Sequence, residues 1–165
     1  MPLLLCFSIS GETFGLDVRE VIRILPRVRC AQLPGAPDYV VGLMDLEGGF
    51  VPVVDACRLM GRQACRELFS TRIVLVRFPL GEGRTAPLGL MVENATEMVR
   101  MDDQALAPAT VSHRAAPFLA AIGTLGDRPL QIVDVSALLP PETADLIFAG
   151  VQGDEPEARG AEGEP

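Results

Sequence analysis

Val40-Val41-Gly42-Leu43-Met44-Asp45-Leu46-Glu47-Gly48-Gly49-Phe50-Val51-Pro52-Val53-Val54-Asp55 consists of two apolar runs, 40–46 and 50–55, enclosing a Glu-Gly-Gly segment. Glycine reaches the positive φ that a tight β-turn requires without a steric penalty, so run, turn and run together predict a β-hairpin. Asp55 stands just ahead of Arg58-Leu59-Met60. Its side-chain oxygen can accept from an otherwise unpaired amide and start a brief helical turn, which Gly61 closes.

Strand signals continue on both sides of this hairpin. Upstream, Leu3 to Ser10 and Thr13 to Val18 flank Gly11-Glu12 and predict a second hairpin. Val21 to Leu25 is a short apolar segment, after which prolines at 26, 34 and 37 impose a loop or a sheet edge, because proline has no amide hydrogen for a ladder. Downstream, Thr71 to Phe78, Leu88 to Glu93 and Thr96 to Met101 predict three strands, with a Gly-rich loop over 80–86. Leu130 to Val135 predicts another after the turn Gly126-Asp127-Arg128-Pro129, and Glu142 to Phe148 a short helix. The fold class expected is all-β with short helical segments. From Gly150 to Pro165 the chain is Gly, Glu, Pro and Ala-rich and lacks the apolar surface needed to order itself, which predicts a disordered acidic tail.

The central hairpin has an echo. Val41-Gly42-Leu43 leads to Pro52-Val53-Val54-Asp55 and then Leu59-Met60, while Ile122-Gly123-Thr124 leads to Gln131-Ile132-Val133-Asp134 and then Leu138-Leu139. A hairpin followed by a capping aspartate, occurring twice, suggests two similar small barrels.

Composition narrows the function classes. The chain has 165 residues, 48% apolar and 22% charged, which is globular composition for one compact unit; aromatics are only 5% and Trp is absent, so the core must be aliphatic. Net charge is -8, half of it carried by the last dozen residues, and the arginines are scattered. Nucleic-acid affinity rests on clustered cations neutralising phosphates, so no nucleic-acid partner is expected. Met1 to Cys6 is short, has no basic segment before it and reads as a first strand rather than an export signal. No run approaches the roughly 18 apolar residues of a membrane-spanning helix, and direct membrane insertion is not expected. Cys6, Cys30, Cys57 and Cys65 show no C-x-x-C spacing. Three of them have apolar flanks that predict burial as small hydrophobes, which fits a reduced cytosolic setting, although an even count also permits disulfides.

Candidates for chemistry are few. His113 is the single histidine, leaving no cluster for zinc, and no G-x-S-x-G turn accompanies it. Asp102-Asp103 follows a strand where aspartate favours a turn. Gly81-Glu82-Gly83-Arg84 lacks the Lys and Ser/Thr of a phosphate loop. No catalytic residue, metal or cofactor is expected; the enzymatic alternative is a small β-barrel hydrolase using His113 with a neighbouring carboxylate.

Segment 40–55 resembles the central signature of CheW-like domains, roughly V-x-G-[LIV]-[LIV]-N-L-R-G followed by V-P-[LIV]-[LIV]-D-[LIV]. Further matches, in the family's order, are Phe14-Gly15-Leu16-Asp17-Val18 with Val21, Leu88-Gly89-Leu90-Met91-Val92-Glu93, and Ile132-Val133-Asp134-Val135-Ser136-Ala137-Leu138-Leu139. The resemblance implies two SH3-like five-stranded β-barrel lobes sharing a hydrophobic core, approximately residues 14–69 and 70–140, with terminal segments packing on them, in a domain spanning 1–149. It also implies a cytoplasmic, non-catalytic signalling adaptor, one face docking a CheA-type histidine kinase and a groove receiving the cytoplasmic tip of a chemoreceptor. The implied partner-binding residues are Val21, Arg23, Val41, Gly42, Leu43, Asp45, Leu46, Glu47 and Gly48. A degenerate SH3-like domain with a regulatory or decoy role is the alternative.

This chain departs from the pattern at three places. Asp45 replaces Asn, Glu47 stands where the family usually has Arg, and Arg23 where it commonly has Glu. Drift at two solvated positions would account for the reversed charges, since surface pairs contribute little. Alternatively, Arg23 and Glu47 form a swapped ion pair facing each other across neighbouring strands.

Overall fold

Strands account for most of residues 1–108 and 118–149, the part of the chain that the computed structural model describes. In order they are β1 (Leu3–Ile9), β2 (Glu12–Asp17), β3 (Val21–Pro26), β4 (Val40–Leu46), β5 (Gly49–Asp55), β6 (Arg72–Gly81), β7 (Arg84–Arg100), β8 (Ala107–Pro108), β9 (Leu119–Leu125) and β10 (Arg128–Val133). Helix α1 (Ala56–Leu59) follows β5, and α2 (Pro141–Ala149) ends the described chain. Residues 150–165, read above as a tail, and His113 lie outside the described residues.

The hairpin turns form where glycine allows them. Glu47 and Gly48 between β4 and β5 have φ of +52° and +85°, and Ser10 and Gly11 between β1 and β2 have +50° and +83°. Two successive positive φ angles make the turn whose twist matches that of its strands. The first hairpin therefore turns at Ser10-Gly11, one residue earlier than Gly11-Glu12. The expected loop over 80–86 is also mostly strand: Phe78 pairs with Ala86 and Pro79 with Thr85, so only Glu82-Gly83 is left to turn.

Pairing sorts the strands into two SH3-like lobes. The first is ordered β3-β6-β7-β5-β4, with β5 parallel to β7 so that Val53 lies opposite Gly89. The second is ordered β7-β1-β2-β10-β9-β8, with β10 parallel to β2 so that Ile132 lies opposite Gly15. The echo in the sequence is thus realised twice: a hairpin whose second strand runs parallel to a Gly-bearing strand and leads into a capping aspartate, the last residue of β5 and the first after β10. Asp55 caps α1 and Asp134 caps a 3-10 turn over Val135–Ala137.

Two expectations are corrected by this pairing. The runs 88–93 and 96–101 are not separate strands but one, β7, whose first part pairs with β6 through Val92 and whose last part pairs with β1 from Glu93 to Arg100. Asn94, at φ +51°, bends it between the lobes, the kind of local irregularity by which one strand can serve two sheets. The division near residue 69 also gives way. Residues 3–17 pair with β10 and the end of β7, so the second lobe is built from both ends of the chain and the first from the middle. The parallel β2–β10 contact that causes this joins segments more than a hundred residues apart, and no local pattern encodes it.

The core is common to both lobes. Leu5, Phe7, Phe14 and Leu16 from the second pack in one cluster with Val53, Ile73, Leu75 and Leu90 from the first. A smaller cluster of Leu4, Cys6, Met101, Leu130 and Ile132 fills the second lobe's own interior. Leu4 and Cys6 alternate with Leu5 and Phe7 along β1, so the two faces of that strand serve two cores. Helix α2 is held by Phe148, which stacks on Phe78 of β6 with ring centroids 5.4 Å apart.

Candidate docking surface

The hydrogen-bond ladder of the first lobe does not close, and its two edge strands are β3 and β4. Arg23 on β3 and Glu47 in the β4–β5 turn meet across that opening, Arg23 Nη1 donating to Glu47 Oε1 at 3.1 Å. The swapped charges therefore form an ion pair, but not across neighbouring strands as expected: among the described residues β3 pairs only with β6, and the contact bridges two edges that share no ladder. Both side chains are open to solvent, at 48% and 72% exposure. At such positions water screens the attraction, so the pair places charge on the surface more than it holds the lobe together.

The other residues singled out from the sequence divide by exposure. Asp45 and Gly48 are exposed, and Val21, Val41, Leu43 and Leu46 are half-buried, with Val21, Val41 and Leu46 packing against the core. Gly42 is buried, and its role is in the backbone. The chain after β3 returns to β4, where Leu43 N–H donates to Ala31 O at 2.7 Å and Ala31 N–H donates to Leu43 O at 2.8 Å. At Gly42 φ is +143°, and a Cβ there would lie 2.0 Å from Ala31 O. Only glycine permits this approach, which covers part of the β4 edge.

Phe50 was not singled out from the sequence. It lies opposite Asp45 in the β4–β5 register and is 53% exposed. Ile22, next to Arg23, is also exposed. The rim of this lobe thus combines an acidic hairpin, a cation and two large apolar side chains. After Phe50 every β5 residue from Val51 to Asp55 is buried, so no period-two alternation marked Phe50 as facing out.

At the end of β5 away from the Glu47-Gly48 turn lies a buried polar cluster that composition and spacing did not indicate. Asp55, 4% exposed, spends both carboxylate oxygens on backbone amides: Oδ1 accepts from Cys57 N–H at 2.9 Å and Arg58 N–H at 3.2 Å, and Oδ2 from Cys65 N–H at 3.0 Å. Glu93, 3% exposed, accepts from Arg66 N–H at 2.8 Å and from the Arg66 guanidinium at 3.0 and 3.2 Å. Burial pushes the Glu93 carboxyl up, yet the Arg66 amide and guanidinium outweigh it and hold the group below its ordinary range. These bonds tie the irregular segment 61–70 to α1 and β7.

Cys57 and Cys65 complete this cluster with their sulfurs 2.9 Å apart. The hydrogen bond between the two thiols holds Cys57 below the ordinary thiol value, while Cys65 is pushed up by that same hydrogen bond and by burial. Asp55, Cys57 and Cys65 bring three donor atoms within 4.8 Å of one another. They fit each other better than an ion: two thiolates on one tetrahedral zinc stand roughly 3.8 Å apart at Zn–S distances of ~2.3 Å, and Asp55 is already committed to amides.

The remaining sequence candidates fall into turns. Asp102 caps the 3-10 turn Asp103–Ala105, its Oδ1 accepting from Gln104 N–H at 3.0 Å. Glu82-Gly83 is the β6–β7 hairpin turn.

A family model described as the CheW-like domain matches residues 3–142. Chemotaxis protein CheW of Klebsiella aerogenes is 25% identical over 145 residues, covering 87% of this chain and 84% of that protein. The protein of the same name from Bacillus subtilis is 22% identical over 143 residues, covering 86% and 88%. The crystal structure of the scaffolding protein TtCheW from Thermoanaerobacter tengcongensis superposes with a TM-score of 0.75 at 25% identity, covering 87% of this chain and 91% of that one. No helix among the described residues is long and apolar enough to cross a membrane.

Proposed function

The chain belongs to the CheW-like domain family, and from that premise we propose that it is a cytoplasmic, non-catalytic chemosensory scaffold coupling the cytoplasmic tip of a chemoreceptor to a CheA-type histidine kinase. The observation that carries this reading is the extent of the family match, 3–142, which takes in both lobes and every strand described. Such a match favours a whole adaptor over an isolated SH3-like decoy.

The docking contribution is assigned to the rim of the first lobe. Arg23, Asp45, Glu47 and Gly48 supply its exposed polar groups, Val21, Val41, Leu43 and Leu46 its half-buried apolar support, and Gly42 the backbone geometry. Charges at an interface rim steer encounter and reject wrong partners by like-charge contact. With Arg and Glu exchanged relative to the family's usual arrangement, this rim suits a partner whose own charges are exchanged in the same sense.

The test mixes the full chain with the CheA-type kinase and a receptor signalling fragment from the same organism and measures association by calorimetry and co-sedimentation. Association of both at micromolar concentration is expected, weakened by Glu47→Arg. No association with either, by a folded protein, overturns the scaffold reading; unaltered association of Arg23→Glu and Glu47→Arg overturns the assignment of the rim.

A further inference from the structure

Cys57 and Cys65 are the two sulfurs in the described chain brought into contact, and their geometry suits bond formation better than packing. The gap of 2.9 Å is well inside the ordinary separation of two non-bonded sulfurs, and closing it to the ~2.04 Å of a disulfide takes about 0.9 Å of movement. Cys57 sits in the first turn of α1, whose amide is fixed by Asp55 Oδ1, and the Cys65 amide is fixed by Asp55 Oδ2, so one carboxylate holds both backbones in place. Cys65 lies in the irregular segment after α1, which can supply the movement.

A cavity of about 390 Å³ gives a route to this pair. Cys65 forms part of its wall together with Arg27, Arg29, Arg58 and Asp38, and Cys57 does not. The wall also holds Cys30, Asp55 and Glu67, with Arg27 paired to Glu67, so a small thiol reagent reaches Cys65 through a cavity of mixed charge, while Cys57 lies outside that wall. The amide hydrogen bonds to Asp55 and Glu93 do not involve the sulfurs, so joining the sulfurs removes none of them.

We propose that Cys57 and Cys65 are a redox-active dithiol that closes to a reversible disulfide by exchange with a small-molecule disulfide of the oxidised-glutathione class. The Cys57 thiol ionises first; Cys65, the sulfur that the cavity reaches, passes its proton along their shared hydrogen bond to Cys57 and attacks one sulfur of the reagent as the thiolate, forming a mixed disulfide and expelling one thiolate. Cys57, losing its proton to solvent, then attacks Cys65 Sγ and expels the second thiolate. Two electrons pass from the protein dithiol to the reagent, whose S–S bond is replaced by two thiols, and the two protein protons balance them. The product ring encloses the seven residues between the cysteines, pinning the segment that leads from α1 toward β6. The same cavity wall includes Val40 and Val41 at the start of β4, which places the redox state of the pair beside the end of that strand away from the Glu47 turn.

The experiment treats the full, folded chain with oxidised glutathione, caps remaining thiols with N-ethylmaleimide, digests with trypsin without reduction and identifies linked peptides by mass spectrometry. Cleavage at Arg62 and Arg66 isolates Cys65 in the tetrapeptide Gln63–Arg66, while Cys57 and Cys30 share the peptide ending at Arg58. The expected result is that tetrapeptide linked to the Cys57 peptide, two thiols capped instead of four, the link retained in Cys30→Ser, lost in Cys57→Ser and reversed by dithiothreitol. Four capped thiols, a stable glutathione adduct on Cys65, or a link that survives Cys57→Ser overturns the proposal.

Discussion

Arg23 on β3 and Glu47 in the β4–β5 turn are joined by a 3.1 Å hydrogen-bonded ion pair although their strands share no ladder. The pair spans the one gap in the first lobe's hydrogen bonding and lies on its surface. That location separates two consequences usually bundled together, support of the fold and choice of partner.

For the fold, the pair is expected to contribute little. A double-mutant cycle over Arg23→Glu, Glu47→Arg and the double reversal, read by urea denaturation, should give a coupling energy of about 0.5 kcal/mol or less. A coupling above ~1.5 kcal/mol would mean that the edges of the lobe depend on it.

Gly42→Ala is expected to destabilise by ~2 kcal/mol or more, because the added methyl would meet the Ala31 carbonyl and occupy a φ that L side chains rarely adopt. Gly48→Ala, with a positive φ but open space around it, should cost only about 1 kcal/mol. Equal losses in denaturation midpoint would contradict the role assigned to the Ala31–Gly42 approach.

Glu93 should make stability acid-sensitive. Its folded pKa is lowered from an ordinary value of 4.5, so its contribution is fully present above that pH and is lost as pH falls through the lower folded value. Glu93→Gln should destabilise by ~1–3 kcal/mol at pH 7 and flatten the fall in stability below pH ~4.5 relative to the unmodified chain. An identical acid limb in both proteins, followed by circular dichroism, would show that another group is responsible.

Phe148→Ala should cost ~3 kcal/mol, since the ring is 2% exposed and stacked on Phe78. Leu146→Ala, on the same helix and 43% exposed, should cost well under 1 kcal/mol. The contrast in thermal midpoint tests whether α2 is part of the shared core.

Much of this molecule could be read along the chain. The hairpin at 40–55, its glycine turn, the capping roles of Asp55 and Asp134 and the terminal helix depend on residues within a few positions of one another. Turn geometry, capping and two-residue alternation are all local interactions, and their signals are local too. The charge reversal at 23 and 47 could be seen as well, and so could the idea that the two residues meet, though not the gap they bridge.

The polar cluster left a weaker trace. Nothing in the spacing of Cys57, Cys65 and Glu93 marks them as neighbours, because an eight-residue separation through an irregular segment has no fixed period. Phe50 looked like an ordinary strand residue until its exposure was known.

What the amino-acid order determined by itself was an inventory of strands, turns and caps and, through motif order, the family to which they are proper. What only the tertiary structure decided was partnership. β7 serves both lobes through a bend at Asn94, β2 joins β10 across most of the chain, and Cys57 meets Cys65 against one aspartate. Each of these pays its loop-closure entropy only when the whole core has assembled to offset it, so the choice among possible partners is made by collective packing and not by any segment alone.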